Sequence, residues 1–150
     1  MKAKELKLGE SDFGLSRHLF SVFKEKDYTP QQGVNRLGYT EASFNAALYA
    51  AYYAQRHCRA DIYEDLAGTH YVVLEPNGEV AKSRPALLMG SHVDAVPAGG
   101  QYDGMTGVIA ALQAMEIIVR QHMTIRQPVA AVLFQNEESS RFVYGVSSKM

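Results

Sequence analysis

Apolar side chains recur three and four positions apart in residues 11–27, 40–59 and 106–121, as they do on one face of an α-helix. Thr40, at the start of the second segment, is a residue type that caps helix N-termini. Between the first two segments, residues 28–38 carry proline and two glycines and predict an irregular connection. The pattern therefore predicts three helices that each bury one face.

Strands are predicted between and after these helices. Residues 61–65 and 69–75 flank an Ala-Gly pair and predict two paired strands, with a turn at 76–78. Residues 85–89 and 129–134 are continuous apolar runs, typical of strands that are covered on both faces. Because a helix separates these two runs, they predict a βαβ unit with parallel strands and a right-handed crossover. The fold class is α/β.

Composition limits the classes of partner. The chain has 150 residues, 47% of them hydrophobic and 21% charged, which suits one domain with a buried core. A formal net charge of -1 gives no electrostatic attraction to nucleic acid or to an anionic membrane. The chain has one cysteine, Cys58, an N-terminus without the apolar core of a secretory signal, and no apolar run of about 18 residues. We therefore expect a cytoplasmic protein that binds neither nucleic acid nor membrane.

Polar clusters follow both apolar strands. His92 and Asp94 come after the first strand, and Glu137 and Glu138 come after the second. Asp103 lies where the connecting helix begins. Ligands of open α/β sheets bind outside the carboxyl ends of the strands, so we expect these side chains to meet in one crevice.

Four carboxylates in one partly buried crevice repel one another, which raises their pKa values. A divalent cation removes the repulsion, and imidazole and carboxylate are ligands suited to Zn²⁺ and Mn²⁺. Two such ions about 3.5–4 Å apart can share one carboxylate as a bridge. The cluster therefore predicts a metal centre.

The spacing of the residues suggests separate roles. Residues two apart at a strand end point the same way, so Asp94 can reach the second ring nitrogen of His92 and fix its orientation. Adjacent residues of a strand point to opposite faces, so Glu137 and Glu138 serve one site only if the chain has left strand geometry. One glutamate would then ligate metal while the other accepts a proton from water.

Each pattern alone has a simpler interpretation. An isolated His-x-Asp often arises by chance, and an isolated Glu-Glu pair is usually a solvated surface. Their combination at the ends of two strands of one βαβ unit carries the prediction. We interpret the remaining histidines as structural or surface residues: His18, His57, His70 and His122.

The motifs resemble a known family. "GSHVDAVPAGGQYDG" at 90–104 and "NEESSRF" at 136–142 resemble the dinuclear-metal amidohydrolases of the M20 peptidase superfamily. The similar branch contains N-carbamoyl-L-amino-acid hydrolases, allantoate amidohydrolases and ureidoglycolate-type enzymes. "GVNRLGYTEASFNAALYAAYYA" and "DLAGTHYVV" extend the resemblance over roughly residues 30–150. It implies a zinc-peptidase-like catalytic domain, a three-layer sandwich around a mostly parallel sheet.

The resemblance implies a role for each site residue. His92 would ligate one metal ion, Asp103 would bridge both, and Glu138 would ligate the other. Asp94 would orient His92, and Glu137 would be the general base. The cofactors implied are two divalent ions, Zn²⁺, Mn²⁺ or Co²⁺.

Some positions depart from the family pattern. Ala95, Ser139 and Thr69 replace residues usual in the branch, and Ser147-Ser148 replaces a frequent Gly-Ser, whereas Arg141-Phe142 match it and would shape the site without direct chemistry. Members of the branch are longer and have two further metal-binding histidines and a lid and dimerisation domain. We therefore expect residues 1–150 to be the N-terminal portion of an incomplete catalytic domain, inactive alone and homodimeric at full length.

The expected activity is metal-dependent hydrolysis of a linear C–N bond in a small carbamoyl or ureido compound, an N-carbamoyl-L-amino acid or allantoate. An aminoacylase or dipeptidase of the M20 family would share the metal chemistry and cleave an acyl or peptide amide. A different class of alternative is an inactive remnant that serves as an interaction module.

Overall fold

The computed structural model describes residues 7–141. The helices are a 3₁₀ turn at Glu10–Phe13, α1 at Gly14–Asp27, α2 at Glu41–Cys58, α3 at Glu79–Lys82 and α4 at Met105–Arg120. The strands are β1 at Tyr28–Thr29, β2 at Gly33–Val34, β3 at Asp61–Glu64, β4 at His70–Leu74, β5 at Leu87–His92 and β6 at Val129–Phe134. The predicted α/β class is confirmed.

The main sheet has the strand order β3-β4-β6-β5 in the part of the chain that the structure describes. β5 and β6 are parallel, with Leu87 opposite Val129 and His92 opposite Phe134, which confirms the parallel pair of the βαβ unit. β4 pairs antiparallel with both β3 and β6. Within residues 7–141 the sheet is thus mixed, with one parallel pairing, where a mostly parallel sheet was expected.

Helices and sheet share one core. Val72 of β4 and Ala131 and Leu133 of β6 are fully buried among side chains of α2 and α4. Leu87 and Leu88 of β5, by contrast, are 53% and 43% exposed. The prediction of a first strand covered on both faces is therefore wrong for the described residues, because the first half of β5 lies at the edge of their sheet.

The second helix packs through small side chains. Ala47, Ala50 and Ala54 of α2 are fully buried, and α2 contacts both α4 and β4. At its start, the Thr40 hydroxyl accepts the Ser43 backbone N–H, and the Ser43 hydroxyl accepts the Thr40 N–H. The helix start predicted from Thr40 is confirmed.

One local prediction needs correction, and one predicted turn is followed by an unpredicted helix. Residues 28–38, expected to be irregular, contain the antiparallel pair β1–β2, and Val34 forms a further antiparallel bridge with Gly99. The turn expected at 76–78 leads into the short helix α3. No helix in residues 7–141 has the length and apolar character needed to cross a membrane.

Candidate metal centre

His92 lies at the end of β5 and is 7% exposed. Its Nδ1 lies 3.0 Å from the backbone carbonyl oxygen of Asp94 and 3.5 Å from the Asp94 carboxylate. Its Nε2 faces the other way, 3.7 Å from the carboxylates of both Asp103 and Glu137. One ring nitrogen is therefore held by the protein, and the other points toward the acidic cluster.

A glycine makes room for this imidazole. Gly104 has a φ of +63°, and a side chain there would overlap the His92 ring. Only glycine adopts this conformation without strain while leaving the ring its space. The motif glycine before α4 thus brings Asp103 close to His92.

Asp94 connects the two strand ends. Its side chain is fully buried, and its two oxygens accept the backbone N–H groups of Glu137 at 3.1 Å and Glu138 at 3.0 Å. The sequence predicted contact with His92 but gave no sign of these two hydrogen bonds. Because they cross from β5 to β6, they place the glutamate pair next to the imidazole.

Glu137 and Glu138 both face the site because β6 ends at Phe134. The side chain of Glu137 is 62% exposed, and its carboxylate lies beside His92. Glu138 is partly buried and belongs to the same cluster. The expectation that the chain leaves strand geometry before the pair is confirmed.

Among residues 7–141, one group of side chains has the arrangement of metal ligands. Ligand atoms of His92, Asp103 and Glu138 all lie within 4.8 Å of one another. One imidazole nitrogen and two carboxylate oxygens form a donor set that suits Zn²⁺ and Mn²⁺. The predicted residues do meet, and they fit a metal ion; their roles as ligands remain a prediction.

The site perturbs two titrations. Burial lowers the pKa of His92, but the hydrogen bonds and charge of Asp94, with the charge of Glu137, outweigh burial and leave that pKa raised. Burial and the charges of Asp103, Glu137 and Asp94 raise the pKa of Glu138, against an opposing effect of His92. Carboxylate charge contributes to both shifts, and a cation would offset that contribution.

Sequence reasoning missed Arg36. This side chain is 3% exposed; its Nε donates to the Val93 carbonyl, and its Nη1 donates to Asp27 at 2.6 Å. Burial lowers the pKa of Arg36, against the opposing charges of Asp27 and Asp94. The available signal was the segment "GVNRLGYT", in which Arg36 matches a fixed position of the motif that the resemblance included.

The second motif also contacts this connection. Arg141 Nη1 donates to the backbone oxygens of Gly38 at 3.3 Å and Tyr39 at 2.9 Å. Phe142 and Ser147-Ser148, which the motif comparison included, lie outside the described residues.

The remaining histidines have other surroundings. His18 Nε2 lies 2.8 Å from the Tyr49 hydroxyl, and His57 lies 3.6 Å from Glu116. His70 is buried, and His122 is exposed. This agrees with their interpretation as structural or surface residues.

Together, the fold and this donor set define an α/β domain with a candidate metal centre at the carboxyl ends of adjoining parallel strands. The model of Peptidase family M28 matches residues 71–148, slightly more than half of the chain and a range that holds all five predicted site residues. The chain belongs to Peptidase family M28.

The names of the curated relatives refer to the hydrolysis of carbamoyl and ureido compounds. The chain is 33% identical to ureidoglycolate hydrolase of Arabidopsis thaliana over 75% of its own length and 23% of the relative's. It is 32% identical to N-carbamoyl-L-amino acid amidohydrolase of Geobacillus stearothermophilus over 78% of its length and 28% of the relative's. The chain thus spans about a quarter of these relatives.

A solved structure supports the fold. An amidase of the hydantoinase/carbamoylase family from Burkholderia vietnamiensis matches with a TM-score of 0.75 and 25% identity, over 90% of this chain and 32% of that one. These relatives confirm the resemblance to the carbamoylase and ureidoglycolate branch, while the matching family model is that of M28 where the motifs suggested M20.

Proposed function

We propose that the chain carries part of the catalytic centre of a metal-dependent amidohydrolase. The enzyme would cleave a linear C–N bond of a carbamoyl or ureido compound such as an N-carbamoyl-L-amino acid or allantoate. The meeting of His92, Asp103 and Glu138 within 4.8 Å carries this proposal. The names of the relatives support the substrate class.

The resemblance to dinuclear amidohydrolases supports two divalent ions, Zn²⁺, Mn²⁺ or Co²⁺. His92 would hold one ion, Glu138 would hold the other, and Asp103 would contribute to both. When bound, such ions polarise a carbonyl and lower the pKa of water to about 7. Asp94 would hold His92 and the backbone of the glutamates in place.

Glu137 is the proposed general base. Its carboxylate is exposed, so it is accessible to substrate, and it lies 3.7 Å from His92. It would accept a proton from the attacking water and pass it to the nitrogen that leaves as the C–N bond breaks.

Replacing Glu137 tests the base. We expect Glu137→Gln to lower kcat by about 10²- to 10⁴-fold, because a positioned general base contributes about that much, with metal content unchanged. Glu75→Gln, at an exposed position on another part of the chain, is the matched control. Steady-state kinetics and metal analysis of the enzyme that carries these residues decide; undiminished turnover in Glu137→Gln would rule out this base.

An aminoacylase or dipeptidase is the second candidate, because the matching family is one of peptidases. A substrate panel separates the two functions. Release of ammonia from allantoate and of carbamate from N-carbamoyl-L-amino acids supports our proposal, whereas release of free amino acids from N-acyl amino acids or dipeptides supports the second candidate.

The setting of the enzyme is also a proposal. The resemblance supports a homodimer that acts on small molecules, and the presence of one cysteine, Cys58, supports a cytoplasmic location. The near-neutral net charge supports the absence of nucleic-acid and membrane partners.

A further inference from the structure

The connection between β1 and α2 contacts both halves of the candidate site. We propose that residues 33–39, here called the brace, position both ligand-bearing strand ends, and that Arg36 is the positioning residue through which the brace acts. The proposal rests on the proposed metal site. The contacts that support it involve no metal.

The start of the brace pairs with the loop after β5. Val34 and Gly99 exchange two backbone hydrogen bonds of 2.9 Å, and the Asn35 side chain accepts the Ala98 N–H at 3.0 Å. Gly33 has a φ of +62°, and a side chain there would overlap the backbone of Ala98 and Gly99. The brace thus serves as an extra strand that supports the loop between His92 and Asp103.

Arg36 holds the residues next to His92 from both sides. Its side chain donates to the Val93 carbonyl, and its own carbonyl accepts the Ala95 N–H at 2.8 Å. Val93 and Ala95 flank Asp94, and Val93 directly follows His92. Since neighbouring side chains of an extended chain alternate in direction, fixing the backbone at Val93 and Ala95 fixes where His92 and Asp94 point.

The guanidinium of Arg36 is itself anchored. It forms a partly buried ion pair with Asp27 at the end of α1, at 2.6 Å, and lies 5.8 Å from the centre of the Phe23 ring. A planar group with donors in fixed directions suits this arrangement, and a lysine offers one ammonium in their place. Arg36 therefore joins α1 to the strand end that carries His92.

The end of the brace contacts the second motif. Gly38 lies against Asn136, so a side chain at 38 would overlap the Asn136 amide. Arg141 donates to the backbone oxygens of Gly38 and Tyr39. Glu137 and Glu138 lie between Asn136 and Arg141, so the brace touches the chain on both sides of the pair.

Metal ligands from separate segments depend on such supports. Replacing a residue that holds a metal ligand in place costs about 10- to 100-fold in metal affinity. We expect Arg36→Lys and Arg36→Met to weaken Zn²⁺ binding by that factor in isothermal titration, well below the melting temperature of each variant. Arg56→Met, at an exposed position of α2, should leave Zn²⁺ affinity unchanged. Arg36→Lys should retain more Zn²⁺ affinity than Arg36→Met.

A second pair of variants tests the brace without changing charge. Gly33→Ala should weaken Zn²⁺ binding and speed hydrogen exchange at the Ala95 and Gly99 amides. Gly100→Ala should do neither, because Gly100 lies in the loop that Gly33 contacts but an added side chain there meets no atoms within 4 Å.

A role of Arg36 confined to stability would lower the melting temperature of the Arg36 variants and leave the Zn²⁺ affinity of the folded protein intact.

The outcomes separate the two proposals. If wild-type protein binds no Zn²⁺, the proposed function fails. Hydrogen exchange in metal-free Arg36→Lys still tests the brace: faster exchange than wild type at the Ala95 and Gly99 amides supports it, and unchanged exchange overturns it. If wild-type protein binds Zn²⁺ and both Arg36 variants bind within about twofold of it, the brace proposal is overturned.

Discussion

At the scale of single residues, two buried polar side chains of the site, Asp94 and His92, have defined partners. Asp94 is fully buried and accepts two backbone N–H groups, which offsets the cost of burying its carboxylate. His92 is held on Nδ1 by the Asp94 carbonyl, so Nε2 is the nitrogen directed to the carboxylates. These contacts set the direction of the imidazole before any ligand arrives.

The raised pKa values of His92 and Glu138 predict a pH dependence of stability without metal. Both groups bind a proton more tightly in the folded chain than in the unfolded chain. Their contribution is therefore fully present below the unfolded pKa, 6.5 for His92 and 4.5 for Glu138, and is lost as pH rises through the folded values.

We accordingly expect the melting temperature of metal-free protein, measured by circular dichroism with chelator, to fall from about pH 5 to about pH 8. His92→Gln should show a shallower fall, because the variant lacks the group that titrates in this range. The same pH profile in wild type and His92→Gln would contradict a raised pKa of His92 as the cause of the fall.

At the scale of elements, one strand pairing and the packing of one helix position the site. The parallel pairing of β5 with β6 places His92 and the glutamate pair at one edge of the sheet. The buried alanine face of α2, formed by Ala47, Ala50 and Ala54, lets that helix lie close to α4 and β4. The site therefore depends on how closely these elements pack as well as on its own residues.

Enlarging the alanine face should destabilise the fold. We expect Ala50→Leu to lower the free energy of unfolding by about 1–3 kcal/mol, because Ala50 is fully buried and the added methylenes would have to displace its neighbours. Ala42→Leu makes the same change at an exposed position of α2 and should stay within about 0.5 kcal/mol of wild type. Urea unfolding measures both; equal effects would show that the face tolerates larger side chains.

At the scale of the whole molecule, the candidate ligands come from three segments distant along the chain. His92 follows β5, Asp103 precedes α4 and Glu138 follows β6. Metal ions held by residues from all three segments would bind the folded chain and not the unfolded one, so binding and folding would be coupled.

This coupling predicts stabilisation by metal. At a free Zn²⁺ concentration of about 100 times Kd, we expect the free energy of unfolding to rise by about 2.7 kcal/mol. His92→Ala should abolish the rise, while His122→Ala, which removes an exposed histidine outside the cluster, should preserve it. Equal stabilisation of wild type and His92→Ala in urea titrations would place the ion elsewhere.

Local pattern predicted much of the fold. The run at 129–134 coincides with β6, and the periodicity of 106–121 falls within one residue of α4. These features follow from neighbouring residues, whose apolar spacing matches one element and no other. The order strand, helix, strand then implied that His92, Asp103 and the glutamate pair would meet.

The amino-acid sequence by itself determined the class of fold, the main helices and strands, and the residues that gather at the site. Tertiary structure decided the antiparallel pairing of β4 with β6, the exposure of Leu87 and Leu88, the hydrogen bonds of Asp94 to the glutamate backbone, and the place of Arg36. The physical reason is the separation along the chain of the residues that interact. Periodicity and turn chemistry act between near neighbours, whereas the β4–β6 pairing and the hydrogen bonds of Asp94 to Glu137 and of Arg36 to Val93 join residues more than forty positions apart. Nothing in the local pattern specifies such a partner.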